Sequence, residues 1–321
     1  MNDAILQRIK SLSFDEYWDD IEDTLTNHKP GPSLLIETAF KHLQKSKKDV
    51  IAAQCSLVLF QVSAIIMDDI ADEDTKGIYL RIGPGRAANL AIWLCNASYR
   101  VILESELPDS DKFKAMQIIK EVYDTHAKVI ELECKGFDDE KLYWKVVSGK
   151  SGQICGNSLK LGAILAEADE PTTSKLFSLG MAMGEIGQVC NDFAGAFKKP
   201  ANTDWQRSGS NLLLLFAMSK KNPDHHRFTE LSNKVFDNEA ILKDAQQMLI
   251  DCGAASYGGK AITDRLTQMA ELSLEIRNDG DIELAAFFAG EIAQAFRWLE
   301  KRKISIPDQL LSTCKRLTAN H

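Results

Sequence analysis

The sequence predicts an all-α protein, and three observations support this fold class. Apolar residues recur at three- and four-residue spacing over long segments, as in residues 51–66, which is the period of a helix. No comparable segment alternates apolar and polar residues as a half-buried strand does. The eight prolines, which are poorly tolerated inside helices, separate these segments. We therefore predict a single helical domain over residues 1–321.

The helical segments are joined by short connections, and no low-complexity linker marks a domain boundary. Those around residues 51–67 and 154–166 are apolar on nearly all sides, which is typical of central helices that others enclose. Such helices can wall a cavity. In chain order, the predicted helices are 3–12, 14–27, 33–45, 49–74, 86–106, 109–134, 138–168, 172–197, 204–221, 224–234, 237–251, 254–278, 281–302 and 307–318.

Composition excludes several classes of function. The formal net charge of -8 argues against binding to nucleic acid, which needs a basic face. The seven cysteines are scattered without a Cys-x-x-Cys pair, so neither a disulfide framework nor a zinc site is indicated. The apolar runs at 57–67 and 212–218 are too short to form a transmembrane segment, and residues 1–27 do not resemble a signal peptide. We expect a soluble, cytoplasmic protein.

An acidic cluster follows the apolar segment that ends at residue 67. Asp68 and Asp72 are one helical turn apart with Asp69 beside them, at a helix C-terminus where the dipole is also negative. This arrangement needs a cation, and a set of carboxylates without His or Cys favours Mg²⁺. The alternative is a solvated acidic helix end, and the apolar segment directly before the acids favours the metal site instead.

Two further elements are weaker when each is taken alone. Gln188 and Asp192 are one helical turn apart, with Asn191 adjacent, and a helix with a polar stripe is the simpler interpretation. Lys150 and Ser151 precede a stretch of small and apolar residues. A lysine is a competent phosphate ligand, but a lysine that reaches solvent explains this position equally well.

The order and spacing of the three elements resemble those of the polyprenyl synthetase, or isoprenyl diphosphate synthase-like, family, from about residue 32 to residue 280. Asp68 to Asp72 is similar to its first aspartate-rich motif, Lys150-Ser151 to its Lys-Thr pair, and residues 188–195 to its second aspartate-rich motif. The resemblance implies an isoprenoid synthase bundle with a central apolar cavity, Mg²⁺-dependent transfer of prenyl groups from a prenyl diphosphate, and a homodimer.

The sequence departs from the family pattern at positions that matter for chemistry. Asn191 and Gly195 replace aspartates of the second motif, and Gly209 replaces a lysine downstream. The basic elements that hold isopentenyl diphosphate are reduced to His28-Lys29 and Thr75-Lys76-Gly77. Ordinary chain elongation is therefore doubtful. Residues 66–74 most resemble the ComQ-type branch, whose members prenylate a peptide.

We hypothesise that Asp68, Asp72 and Asp192, on two helices, converge on Mg²⁺ ions that grip a prenyl diphosphate, and that Asp69 assists them. Lys150, together with Lys198 and Lys199, is expected to neutralise the phosphate oxygens; the other predicted substrate contacts are Ser151, Gln188, Asn191 and Lys76. The acceptor stays open between a peptide, a second prenyl unit and an alkene of the same chain. Two other functions are a terpene cyclase and a non-catalytic regulatory subunit of a prenyl diphosphate synthase.

Overall fold

A computed structural model describes residues 3–13, 15–27, 31–43, 50–72, 77–136 and 138–318. Every regular element in these ranges is helical, which confirms the predicted all-α fold class. The α-helices are α1 Asp3–Leu12, α2 Asp15–Asn27, α3 Gly31–Leu43, α4 Ile51–Asp72, α5 Tyr79–Ile82, α6 Pro84–Leu103, α7 Asp109–Lys135, α8 Glu140–Val147, α9 Gln153–Leu165, α10 Glu170–Ala196, α11 Leu212–Met218, α12 His225–Ser232, α13 Glu239–Asp251, α14 Ala254–Asn278, α15 Ile282–Lys301 and α16 Asp308–Thr318.

The chain divides into two compact units. The first unit comprises Met1–Thr125 and Ile154–Phe177, and the second comprises His126–Gln153 and Ser178–His321. Each unit therefore combines two separate stretches of chain. The single-domain organisation stays a prediction.

Helix α4 is the core helix of the first unit. It packs along α6 and also against α1 and α3. Two serines fasten it to α6, because Ser56 Oγ donates to the Ser98 carbonyl at 2.7 Å and Ser63 Oγ donates to the Ala91 carbonyl at 2.9 Å. These bonds satisfy both serine hydroxyls, which are among the few polar groups of this largely apolar helix.

The length of α4 requires a correction to the sequence prediction. Residues Ile51–Ala71 are long and apolar enough to cross a membrane by length and composition alone, although the uninterrupted apolar runs within them are short. However, 72% of the apolar window is buried inside the protein. This burial is what a packed core helix shows.

The second unit is organised around α14. Helices α15, α16, α13 and α11 all pack against it. Two adjacent glycines permit close contact, since a Cβ atom at Gly258 would lie 2.8 Å from the Phe193 ring and one at Gly259 would lie 2.6 Å from the Ile304 side chain. Small residues at these positions therefore set how closely α10 and the chain after α15 approach α14.

Most predicted helices are confirmed to within a few residues, and the segment 254–278 matches α14 at both ends. Two predictions are wrong. Residues 204–221 do not form one helix: two short 3₁₀ turns precede α11, which begins only after Asn211. That side chain caps α11 by accepting from the Leu213 and Leu214 N–H groups. The predicted helix 138–168 contains a π-helical turn, Ser148–Gly152, between α8 and α9.

A close backbone approach in the first unit gives a test of the packing. A Cβ atom at Gly162 of α9 would lie 2.4 Å from the Ile36 carbonyl of α3. We expect Gly162→Ala to lower the free energy of unfolding by about 1–3 kcal/mol through overpacking. Gly187→Ala is the matched control, because nothing lies within 4 Å of its added Cβ atom, and it should stabilise α10 by about 0.5–1 kcal/mol. Denaturant unfolding measures both; equal effects would contradict the packing at Gly162.

Candidate functional site

The acidic end of α4 lies where the burial of this helix stops. Met67 is 45% exposed, and Asp68 and Asp69 are partly exposed. Gly77 packs so closely here that an added Cβ atom would lie 2.9 Å from the Asp69 Cβ. Asp72 is the last residue of α4, and its side chain lies outside the described part of the structure, as does all of Lys76. The predicted basic residues His28 and Lys29 also lie outside it.

The segment of α4 that precedes these acids is apolar and almost fully enclosed. Between Ala52 and Ile66, Ala64 and Ile65 alone are partly exposed. Phe60 is buried against Tyr123, with their ring centroids 4.5 Å apart. The accessible surface just before the acids is therefore formed by Ala64, Ile65 and Met67, and it is apolar.

The donor set at this helix end fits a magnesium ion in its chemistry. Asp68 and Asp69 supply carboxylate oxygens, which are the ligands that Mg²⁺ prefers, and Asp72 follows Asp68 by one turn. Among the residues and side chains that the structure describes, no three His, Cys, Asp or Glu side chains are gathered as a metal site.

Asp192, on α10, has a different environment from the acids of α4. It is only 2% exposed. Its Oδ2 atom accepts hydrogen bonds from the Tyr143 hydroxyl at 2.6 Å and from the Leu212 N–H at 2.7 Å. Its Oδ1 atom accepts from Gln188 Nε2 at 3.0 Å. The carboxylate thus joins α8, α10 and the start of α11.

This environment does not support the predicted role of Asp192 as an open metal ligand. Both carboxylate oxygens already accept hydrogen bonds from the protein. Burial raises the pKa of Asp192 to about 7, although the three hydrogen bonds oppose this rise. The neighbouring Asn191 is exposed instead. We assign Asp192 a positioning role in the second unit.

The structure brings Gln188 and Ser151 into contact. Ser151 Oγ donates to Gln188 Oε1 at 3.1 Å, so Gln188 links Ser151 to Asp192. Gly184 makes this contact possible, because an added Cβ atom there would lie 2.2 Å from the Ser151 carbonyl. The π-helical turn that carries Ser151 is thereby held against α10.

Lys150 lies in the same π-helical turn and is not simply directed to solvent. Its Nζ atom lies 3.1 Å from Glu133 Oε2 on α7, and both side chains are largely buried, at 26% and 20% exposed. Sequence reasoning missed Glu133, because an acid on an amphipathic helix carries no signal of its partner. A phosphate that binds Lys150 would therefore compete with the Glu133 carboxylate for the ammonium group.

A second buried ion pair, between Glu185 and Arg265, was also missed. Arg265 Nε donates to Glu185 Oε2 at 2.6 Å, and the guanidinium lies 3.6 Å from the Trp144 ring centroid. Ser148 donates to the other oxygen of Glu185. Glu185, Gln188 and Asp192 thus form one polar face of α10, and each is paired with a residue of the segment 143–151. Their spacing of three and four residues was the available signal.

The glycine that replaces the last acid of the second motif has a physical explanation. A Cβ atom at Gly195 would lie 1.8 Å from Asp204 Oδ2. The Asp204 carboxylate, which accepts hydrogen bonds from Asn202 and Asn211, fills this space. Position 195 therefore admits no side chain, while an acid from a different segment lies beside it.

The remaining predicted cations are at the surface. Lys198 is exposed, and its carbonyl accepts from Gln246 Nε2 at 3.1 Å. Lys199 Nζ lies 3.8 Å from Glu239 Oε1, with both side chains at least half exposed. Such pairs contribute little to stability, so both lysines can turn toward another anion.

Comparison with known proteins decides the family. The family described as polyprenyl synthetase matches residues 29–249. The chain belongs to the polyprenyl synthetase family. Enzymes of this kind transfer prenyl groups, so both the recognised family and the enzyme class are confirmed. The narrower ComQ-type assignment stays a prediction.

Three related proteins illustrate the similarity. The nonaprenyl diphosphate synthase of Mycobacterium tuberculosis (strain ATCC 25618 / H37Rv) is 25% identical over 239 residues, which are 69% of this chain and 68% of that one. The crystal structure of a decaprenyl diphosphate synthase from Rhodobacter capsulatus has a TM-score of 0.73 at 15% identity and covers 90% of this chain and 94% of its own. That of a polyprenyl synthase from Caulobacter crescentus CB15, complexed with calcium and isoprenyl diphosphate, has a TM-score of 0.69 at 17% identity and covers 98% and 91%.

The burial of Asp192 predicts a specific dependence of stability on pH. An aspartate has a pKa of about 3.9 when unfolded, and in the folded protein this pKa rises to about 7. Between these values the folded state holds a proton that the unfolded state releases, so stability falls as pH rises and levels off above about pH 7. Asp192→Asn lacks this contribution. The free energy of unfolding of wild type should therefore fall relative to that of Asp192→Asn as pH rises from 5 to 7.

Denaturant unfolding at half-unit pH intervals measures this difference. Tyr143→Phe is a second variant with a distinct outcome, since it removes a donor that lowers the pKa of Asp192 and should extend the pH window upward. A stability difference between wild type and Asp192→Asn that is constant from pH 5 to 8 would contradict a buried, protonated Asp192.

Proposed function

We propose that this protein is a Mg²⁺-dependent prenyltransferase that ionises an allylic prenyl diphosphate. The observation that carries the proposal is the end of α4, where a buried apolar helix emerges with Ala64 and Ile65 partly exposed and is followed at once by Asp68 and Asp69. A prenyl diphosphate has a matching arrangement, because its apolar chain is joined to a strongly anionic diphosphate group. The carboxylates require a metal ion to bind such a head.

The names of related proteins support this substrate class. One curated relative is named a nonaprenyl diphosphate synthase and another, from Geoglobus acetivorans, a geranylgeranyl pyrophosphate synthase. The Caulobacter crescentus protein was crystallised with calcium and isoprenyl diphosphate, a divalent cation together with a prenyl diphosphate. We propose the same pairing here, with Mg²⁺ as the ion.

The roles proposed for the chain are those of holding and orienting. Bound Mg²⁺ would stabilise the negative charge that develops on the departing diphosphate. Asp68 and Asp72 would hold the metal, Asp69 would assist, and Lys150 would bind phosphate oxygens in exchange for part of its contact with Glu133. The surface formed by Ala64 and Ile65 would contact the prenyl chain and exclude water from the cation. We propose a cytoplasmic homodimer, with the acceptor undefined.

One observation favours a second candidate function, a non-catalytic subunit of a prenyl diphosphate synthase. In the second aspartate-rich motif, Asn191 is exposed where the family has an acid, and the remaining acid, Asp192, is already occupied by three protein donors. A subunit of this kind would keep the fold with reduced metal binding. It would not turn over substrate when isolated.

Removal of the acids on α4 tests the proposed function. We expect the double variant Asp68→Asn/Asp72→Asn to lose Mg²⁺-dependent diphosphate release from farnesyl and geranylgeranyl diphosphate by about 100-fold or more, because the developing charge is no longer neutralised. The rate is measured by a coupled diphosphate assay, with product mass spectrometry to separate transfer from cyclisation. Asp264→Asn, an exposed carboxylate on α14, is the matched control and should keep full activity.

Three outcomes distinguish the candidates. Unchanged release by the double variant would reject the role of these acids. A hydrocarbon or alcohol made from one diphosphate would identify a terpene cyclase. Wild-type protein that binds prenyl diphosphate but releases nothing, in the presence of every acceptor tried, would favour the non-catalytic subunit.

Ala64 is predicted to limit the length of the prenyl chain. It lies one turn before Asp68 and is partly exposed, whereas Phe60, one turn further back, is buried against Tyr123. Ala64→Phe should therefore shift substrate preference toward shorter prenyl diphosphates, raising KM for geranylgeranyl diphosphate by roughly tenfold or more relative to geranyl diphosphate. Ala64→Val should give a smaller shift in the same direction. Equal KM changes for all chain lengths would contradict contact with the prenyl chain.

A further inference from the structure

The second unit contains a large groove that is lined by none of the predicted metal ligands or phosphate-binding lysines, although Phe193 and Ala194 of the second aspartate-rich motif belong to it. Its volume is about 1270 Å³, somewhat larger than the roughly 300–1,000 Å³ of common ligand pockets. It is formed by the C-terminal end of α10, Ile250 of α13, the first turns of α14, and the connection from α15 to α16. All of them belong to the second unit.

The floor of this groove is apolar. Phe193 and Phe197 of α10, Ile250 of α13 and Ile304 after α15 line it. Phe193 and Ile304 reach it because Gly258 and Gly259 leave no Cβ atom between them and α14. Glycines in a helix interior cost stability, about 0.5–1 kcal/mol each relative to alanine. The two glycines that let these side chains form the apolar floor therefore lower the stability of α14.

The rim of the groove is basic in a chain whose net charge is negative. Lys301, Arg302 and Lys303 are consecutive and all line it. Within the part of the chain that the structure describes, neither Lys301 nor Lys303 has an acidic partner. Lys260 and Asp264 also line the groove, but they neutralise each other at 2.7 Å. The groove therefore carries an excess of three positive charges.

Arg302 connects the basic rim to the apolar floor. Its guanidinium lies 3.7 Å from the centroid of the Trp298 ring, and Trp298 in turn packs edge-on against Phe193 at 5.3 Å. Arg302 Nη1 donates to the Trp298 carbonyl at 3.3 Å, and the stacked guanidinium keeps its other edge donors available for a planar or tetrahedral anion. Charge and apolar surface are thus adjacent in one site, as an amphipathic ligand requires.

We propose that this groove binds a single-chain anionic amphiphile, an apolar chain that ends in a phosphate or carboxylate. The chain would lie on Phe193, Phe197 and Ile304, and the head group would contact Lys301, Arg302 and Lys303. A concave site of this volume suits one chain, whereas a membrane surface would need a set of protruding apolar side chains, and of the floor residues only Ile250 is more than half exposed. The proposal does not depend on the proposed catalytic function.

A simpler explanation of the basic residues is tested at the same time. Cations at a helix C-terminus are stabilised by the helix dipole, and Lys301 ends α15. Lys315 and Arg316, in the last turn of α16, satisfy the same preference but do not line the groove. Charge reversal at these two positions is therefore a control matched in number, sign and helix position.

The experiment is calorimetric titration of the full chain with dodecyl phosphate, below the concentration at which it forms micelles and with excess EDTA present. We expect saturable binding of one molecule per chain. Lys301→Glu/Lys303→Glu should weaken it by roughly tenfold or more, and Lys315→Glu/Arg316→Glu by less than about twofold. Inorganic phosphate lacks the apolar chain, and dodecanol lacks the anionic head group. Each should therefore bind at least about tenfold more weakly than dodecyl phosphate.

A second pair of variants tests the apolar part. Ala255→Trp fills the groove and should abolish binding, while Ala240→Trp, at an exposed position of α13 outside the groove, should not. Asp68→Asn/Asp72→Asn should bind dodecyl phosphate normally, so failure of the catalytic proposal leaves this one intact. Absence of saturable binding, equal loss in both charge-reversal variants, loss in the α4 variant, or binding only to phosphatidylglycerol vesicles would each overturn the proposal.

Discussion

A helix that is apolar on every side is stable in water only when other helices enclose it, and α4 imposes this constraint on the first unit. Full burial of each large apolar side chain contributes about 1.5–3 kcal/mol, and α4 buries nearly all of its residues from Ala52 to Ser63. The enclosing helices must therefore lie on all sides of it. Its few polar groups, such as Ser56 and Ser63, are paired with carbonyls of α6. Asp68 and Asp69 can therefore lie only at the end of α4, where the other helices no longer enclose it.

In the second unit, burial places a similar constraint on a charged side chain, that of Asp192. Removing a carboxylate from water costs several kcal/mol, and Asp192 offsets part of this cost with donors from α8, from α10 and from the N-terminus of α11. The pKa of about 7 shows that burial still outweighs the three hydrogen bonds. Asp192 thus orders three helices around itself, and it does so at the expense of availability to a metal ion. The two aspartate-rich segments of this chain thus have different environments: Asp68 and Asp69 are partly exposed near the end of a helix, and Asp192 is buried.

Much of this could be predicted from the sequence. Helical periodicity and proline positions gave the fold class and most helix limits, and the apolar lead-in to Asp68 pointed to the acidic site. The break at residues 204–211 could not be predicted from periodicity, because it depends on contacts with α10: Asn211 Nδ2 donates to the Asp192 carbonyl, and Asp204 fills the space beside Gly195. Asn191 and Asp192 are adjacent, and only packing decides which of them faces outward. Glu133 and Arg265 became visible as partners of Lys150 and Glu185 only in three dimensions.

A crystal structure of the protein with Mg²⁺ and farnesyl thiodiphosphate, an analogue that ionises poorly, tests the central claim most directly. We predict metal density bound to carboxylate oxygens of Asp68 and Asp72, with the prenyl chain against Ala64. We also predict that Asp192 keeps its hydrogen bonds to Tyr143 and Leu212. Metal bound to Asp192 with Tyr143 displaced, or ligand density with no metal beside Asp68, would contradict these predictions.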